Sequence, residues 1–256
     1  MSKDPKNPLN LVRDPFAGNG YVFPNTKCTQ ERRLFFKRIN EIYVLLYITK
    51  HSYDETNKVY KKMLNGPQIK EDTPIKLELS TGFSTIFLAK KILEFTANGI
   101  NILTRQGFVM FYGSFETYLF QLFERSFPLI GVTQDILDRS LDILMRKKWD
   151  SKFNSMSEVF GLGFQTGQLI KHFSGFELNF EGKIYKDPSN FLDELAQVRH
   201  RVVHASSILE KDRLISVDMN IFHGFYGFYF LLTDFVDSLF SNKFSYPRQD
   251  LNPAKA

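Results

Sequence analysis

The chain of 256 residues contains a single cysteine, Cys28. One thiol excludes an intrachain disulfide framework and a zinc site built on cysteines. It also fits a reducing compartment, so a cytoplasmic location is expected. Long apolar runs are missing as well. The most apolar segment, residues 219 to 240, is interrupted by Asp234 and Asp237. No stretch of about 18 uncharged apolar residues predicts a membrane span. The opening "MSKDPKNPLNLVRDPF" lacks an apolar h-region and is broken by Pro5, Pro8 and Pro15, so it does not read as a secretory signal. Neither sign of charge dominates: Lys and Arg total 33 against 28 Asp and Glu, a net charge of +5. That bias permits a polyanionic partner without requiring one. Strand signals are nearly absent, and there is no internal repeat or low-complexity tract.

Phenylalanine is what the chain has in excess, at 27 residues. So many large apolar rings imply extensive contact areas, in a core or between subunits. The length is ample to bury such a core without staples.

Helical periodicity accounts for most of the chain. Residues 1–26 read as an irregular arm. Thr29 is a candidate cap for a helix from Gln30, in which Leu34, Phe35, Ile39, Ile42, Leu45 and Ile48 recur at helical spacing. A second short helix, about 53–64, stops at "NGP". "QIKEDTPIKLEL" reads as a loop, with a short strand as the alternative. Ser80 or Thr81 is placed to open a helix over about 82–97, which "ANGIN" would break or bend. From about 102 to 126 the pattern is clear: Phe108, Phe111, Phe115, Leu119 and Leu122 share one face, with Tyr112 and Tyr118 at its borders. Helices are also expected over 133–147, 151–172 and 217–241. "FEGKIYKDP" reads as a loop, and Asp187, Ser189 or Asn190 as the cap of the helix after it. The sum is an all-α protein. Its domains read as a helical extension over 27–99, a bundle of four to five helices over 100–241 and a flexible tail over 242–256.

One helix breaks the pattern. "DELAQVRHRVVHASS", residues 193–207, packs Arg199, His200, Arg201 and His204 into six positions. At about 100° per residue, Phe191, Val198 and Val202 fall within about 60° of Leu195 and form the buried stripe. Arg199 falls inside that stripe, about 40° from Leu195. Gln197, His200 and His204 point the other way. A guanidinium keeps its proton, so burying it calls for a carboxylate or several acceptors. Glu116, at the edge of the aromatic face of "FYGSFETYLFQLF", is the candidate partner. A histidine that titrates near neutrality can move protons. A fixed arginine can grip a phosphate and stabilise developing negative charge. Together they suit phosphodiester cleavage in which the RNA 2′-OH is the nucleophile.

"VRHRVVHA" resembles the signature of HEPN domains: an Arg, a polar residue and, further on, a His. That signature counts four to six positions between Arg and His, and Arg199, His200 and His204 match it, with four residues between Arg199 and His204. The context is similar too, a helical bundle with the motif near the end of its penultimate helix. "FVMFYGSFETYLFQLFERSF" resembles the first long HEPN helix. The resemblance spans about residues 100–241 and implies a metal-independent endoribonuclease with no cofactor. By it, Arg199 would grip the scissile phosphate and His204 would act as base or acid. His200 and Glu116 would support them, and Arg201 would face the RNA. It further implies a homodimer with a composite cleft, a toxin or antiphage role, and an antitoxin or sensor partner. No membrane partner is expected.

Other readings stay open. Arg199 and His204 suit a structural ion pair at a helix end. His200 and His204 have the i, i+4 spacing of two metal ligands, with no third ligand nearby in sequence. A HEPN-like module that binds a nucleotide or a protein without cutting is the rival function. "GLGFQTG", Gly161 to Gly167, misses the dinucleotide fingerprint by one residue and follows no strand, so close helix packing is the expected use of its glycines. "RKKW", Arg146 to Trp149, reads as a solvated helix end. Tyr226, Phe230 and Leu231 lie off the last helix's stripe, to cover either a homodimer contact or the N-terminal region.

Overall fold

A computed structural model describes residues 27–66, 69–78, 81–131, 133–135, 148–175, 177–180, 183–204 and 219–251. It also describes single residues between 137 and 145 and two short paired strands, β1 (Val12–Arg13) and β2 (Tyr21–Val22). The expected helix over 133–147 lies largely outside the described residues. The fold is mostly helical, as the periodicity predicts. Its helices are α1 (Gln30–Leu64), α2 (Ala89–Ser126), α3 (Trp149–Phe160), α4 (Thr166–His172), α5 (Pro188–His204) and α6 (Met219–Phe244). Among the described residues no helix is long and apolar enough to cross a membrane.

Thr29 caps α1, accepting the Arg32 amide at 3.3 Å. The helix then runs for 35 residues without the expected break near residue 50. Within that stretch the Thr49 and Ser52 hydroxyls donate to the carbonyls of Leu45 and Ile48 one turn back, satisfied inside the unbroken helix. Only the first half of α1, to Leu46, has buried residues. The second half packs along the start of α2 as a helical arm.

The expected helix start near residue 82 is wrong. Strand β4 (Pro74–Glu78) pairs antiparallel with β5 (Ser84–Leu88) as a hairpin, and α2 begins only at Ala89. Thr85, Ile86 and Phe87 suit a pleated strand better than a helix N-terminus. "ANGIN" does not end α2 either. The helix continues for 38 residues, across the point near residue 99 where the sequence divides extension from bundle. Gly107 shows how close α1 and α2 lie: a Cβ there would collide with the Leu46 side chain.

Helix α2 is the central column, burying Phe108, Phe111, Phe115, Tyr118 and Leu122. Helix α6 is buried almost all round, as expected of a helix apolar on every side. Its off-stripe residues Tyr226 and Phe230 meet Phe36 of α1, with ring centroids 6.0 and 5.9 Å apart. The N-terminal region therefore covers them.

A buried polar network fastens α1 to α6. Arg32 is fully buried. It pairs with Asp234 at 2.6 Å and donates to Thr233 Oγ1 and the Phe230 carbonyl. The Thr29 amide and hydroxyl both donate to Asp237. Beside them, strand β3 (Lys27–Cys28) pairs with β8 (Gln249–Asp250). Residues 242–251 are thus not a loose tail: α6 runs to Phe244, and Tyr246 and Leu251 are buried.

Two further expectations are corrected. "FEGKIYKDP" is not all loop, because β6 (Leu178–Phe180) and β7 (Lys183–Tyr185) form a hairpin. Residues 151–172 form two helices, not one. Gly161 ends α3 with a φ of 59° and Gly163 follows at 67°, so these glycines serve left-handed turns and not helix contacts.

Candidate functional site

The motif helix α5 starts where its capping residues place it. Asp187 Oδ1 accepts the Ser189 amide at 2.8 Å, and Pro188 occupies the first helical position. Leu195 and Val198 are fully buried and Phe191 nearly so. Val202 is half-buried, which completes the predicted stripe.

Arg199 lies at the border of this stripe. Its side chain is 43% exposed, although Nε is buried and has no hydrogen-bond partner among the described residues. Nη1 reaches Glu116 Oε2 of α2 at 3.5 Å. The guanidinium carbon sits 5.5 Å from the centroid of the Tyr112 ring, one turn before Glu116 on the same helix. The expected partner is therefore the one Arg199 has, but the guanidinium tip is half-exposed rather than buried.

Helix α3 closes the site from a third side. The Trp149 indole N–H donates to Tyr112 Oη at 3.0 Å, and the Trp149 amide donates to Asp193 Oδ1 of α5 at 3.0 Å. Asp193 thereby caps the start of α3 and docks it on α5. One turn on, the Lys152 ammonium stands 4.1 Å from the centroid of the Trp149 ring. Trp149 is thus a buried anchor and not a solvated helix end, and Arg146 lies outside the described residues.

Burial dominates the electrostatics. It pushes Glu116 above the usual carboxylate range, against the pull of Arg199 and then Lys152. Burial lowers Lys152, against the pull of Glu116 and Asp193. It raises the Tyr112 phenol, which stays a neutral hydrogen-bonding group. Beneath the site Tyr229 is buried, and among the described residues its hydroxyl has no hydrogen-bond partner.

The other predicted residues divide. His200 is exposed. Arg201 is tied to Glu194 of its own helix at 3.1 Å, both side chains partly exposed. His204 is the last residue of α5, and its side chain lies outside the described residues. Among the described residues no group of three or more His, Cys, Asp or Glu converges on a common point.

Sequence reasoning missed Trp149, Lys152 and Asp193 as members of this site. "WDSK" sets a cation three residues after an indole, on one helix face. What the spacing lacks is the long-range docking that brings that face to Glu116.

No family model, no curated protein and no solved structure matches the chain.

Proposed function

We propose that the chain is a HEPN-like, metal-independent endoribonuclease centred on Arg199 and His204. The observation that carries this reading is Arg199 itself. Its guanidinium is oriented by Glu116 and the Tyr112 ring, yet it keeps 43% of its side chain open to solvent. Exposure keeps the guanidinium hydrated, as in any surface ion pair, and it also leaves the tip open to a ligand. An arginine held for a phosphate needs both a fixed orientation and an open tip.

In the proposed reaction the 2′-oxygen attacks the adjacent phosphorus and the P–O5′ bond breaks. The 2′-OH proton passes to a base, and the 5′-oxygen takes up a proton as it leaves. The product ends are a 2′,3′-cyclic phosphate, or a 3′-phosphate after hydrolysis, and a 5′-OH. Arg199 would offset the charge that builds on the non-bridging oxygens. His204 would be the base or the acid, as the HEPN resemblance implies. A homodimer with a composite cleft, a toxin or antiphage role, and an antitoxin or sensor partner belong to the same proposal.

The test is cleavage of a mixed single-stranded RNA in EDTA by wild type, Arg199→Ala and His204→Ala. Cutting by wild type alone, with 2′,3′-cyclic or 3′-phosphate ends, is the expected result. Equal cutting by all three would move the activity elsewhere. No cutting by folded wild type would favour the binding module.

A further inference from the structure

Lys152 is the one charged side chain in the site that has no hydrogen bond or ion pair with the described residues. It is half-buried, and its ammonium sits over the Trp149 ring at 4.1 Å. Its aliphatic stem lines a cleft between α2 and α3 whose other walls, Leu119, Phe123, Met145, Phe153 and Met156 among them, are apolar. The indole face attracts the ammonium, but the apolar walls offer it no hydrogen-bond acceptor in place of the water that burial removes.

The nearby carboxylates do not pair with it. Asp193 is engaged by the Trp149 amide at the positive end of α3. Glu116 faces two cations, and it is Arg199 that it reaches, at 3.5 Å. Arg199 and Lys152 repel each other, and both are attracted to Glu116. Two hydrogen-bonded rings, Tyr112 and Trp149, thus each carry a cation, and the two cations share one carboxylate. Asp193 attracts Lys152 as well, so the charges balance, but neither carboxylate forms an ion pair with the ammonium among the described residues, and its three N–H donors suit an incoming anion.

We propose that Lys152 is a second phosphate-binding residue of the Arg199 site, contacting the RNA backbone from α3 while Arg199 contacts it from α5. This rests on the endoribonuclease reading, and it extends the binding surface to a helix outside the motif. Lysine suits the task as a point charge on a flexible stem, which follows a phosphate without demanding bidentate geometry.

The experiment measures binding of a fluorescein-labelled, fully 2′-O-methylated single-stranded RNA by anisotropy over a range of salt. Such RNA lacks the nucleophile, so binding is read apart from cutting. The variants are Lys152→Met, which keeps the stem on Trp149, and Lys152→Arg, which restores the charge. Thermal melting of each confirms folding. Lys152→Met is expected to bind roughly tenfold more weakly, the order of one charge-assisted contact. Its slope of log K against log salt is expected to fall by about 0.7, one phosphate's worth on a single strand. Lys152→Arg should recover most of both. A folded Lys152→Met with unchanged affinity and slope overturns the inference, even where wild type cleaves RNA. Lost cleavage at unchanged affinity overturns it too, and makes Lys152 a positioning residue for Glu116. Lysine-dependent binding by a wild type that never cuts RNA supports the phosphate contact and sinks the nuclease reading. A wild type that does not bind the RNA overturns the phosphate contact, and the cleavage assay decides the nuclease reading separately.

Discussion

The Trp149 indole donates to the Tyr112 hydroxyl at 3.0 Å, and each of these buried rings carries a cation, Lys152 on one and Arg199 on the other. The bond joins α2 to α3 directly beneath the candidate site. Tyr112→Phe keeps the ring under Arg199 and removes only the acceptor. The indole N–H is then buried without a partner, a loss of about 1–3 kcal/mol. Urea unfolding should show that loss as a lower midpoint at unchanged m. An unchanged midpoint would mean that the indole finds another acceptor.

Arg32 predicts a larger effect. It is fully buried and makes an ion pair, two further hydrogen bonds and contacts with the faces of Phe36 and Phe230. Arg32→Met removes the charge, keeps much of the volume and leaves Asp234 without its cation. The expected loss is about 3 kcal/mol, at the low end for a broken buried pair because Asp234 still reaches solvent. Adding Asp234→Asn should return part of it in a double-mutant cycle. Strict additivity of the two changes would show that the pair contributes no coupling.

The buried thiol gives a kinetic prediction. Cys28 is fully buried, and burial pushes its pKa up to about 12 against the opposing pull of Arg32. The nucleophilic thiolate is therefore scarce at about pH 8, and the sulfur is out of reach. Labelling by a disulfide-exchange reagent should be slow in buffer and rise to the rate of a free thiol in denaturant. Rapid labelling of native protein would mean that the β3–β8 pairing opens readily.

Local chemistry is legible in the sequence, and of the long-range chemistry only the Arg199–Glu116 pair is. Thr29 and Asp187 cap the helices their spacing marks, because a cap is decided within four residues. The stripe of Phe191, Leu195 and Val198 follows from the helical period. Arg199 pairing with Glu116 was also readable, since two charges on apolar faces need each other. The strand at Pro74–Glu78 is the alternative that its sequence allows beside a loop, but its partner at Ser84–Leu88 reads as a helix start, because a hairpin exists only as a pair. Trp149, Lys152 and Asp193 were missed for a related reason. Their roles arise where α3 docks on α2 and α5, and nothing in "KKWDSKF" names that docking partner.

Asp237 sets a pH dependence whose sign is fixed by its surroundings. It is fully buried and accepts both the Thr29 amide and hydroxyl. Burial raises its pKa above the ordinary value of 3.8, against the lowering effect of the Thr29 bonds and the Arg32 charge. The folded state therefore holds this proton more tightly than the unfolded chain does. The stabilisation is fully present below the unfolded value and is lost as pH rises through the folded one. Asp237→Asn cannot titrate, and it turns an amide N–H toward one of the two Thr29 donors. That substitution costs stability by an amount independent of pH, while wild type alone gains on acidification. The wild-type advantage over Asp237→Asn should thus be larger at about pH 4 than at about pH 7, read from urea midpoints of both proteins. A difference that stays constant with pH would show that Asp237 titrates alike in both states and that the Thr29 bonds and the Arg32 charge together offset its burial.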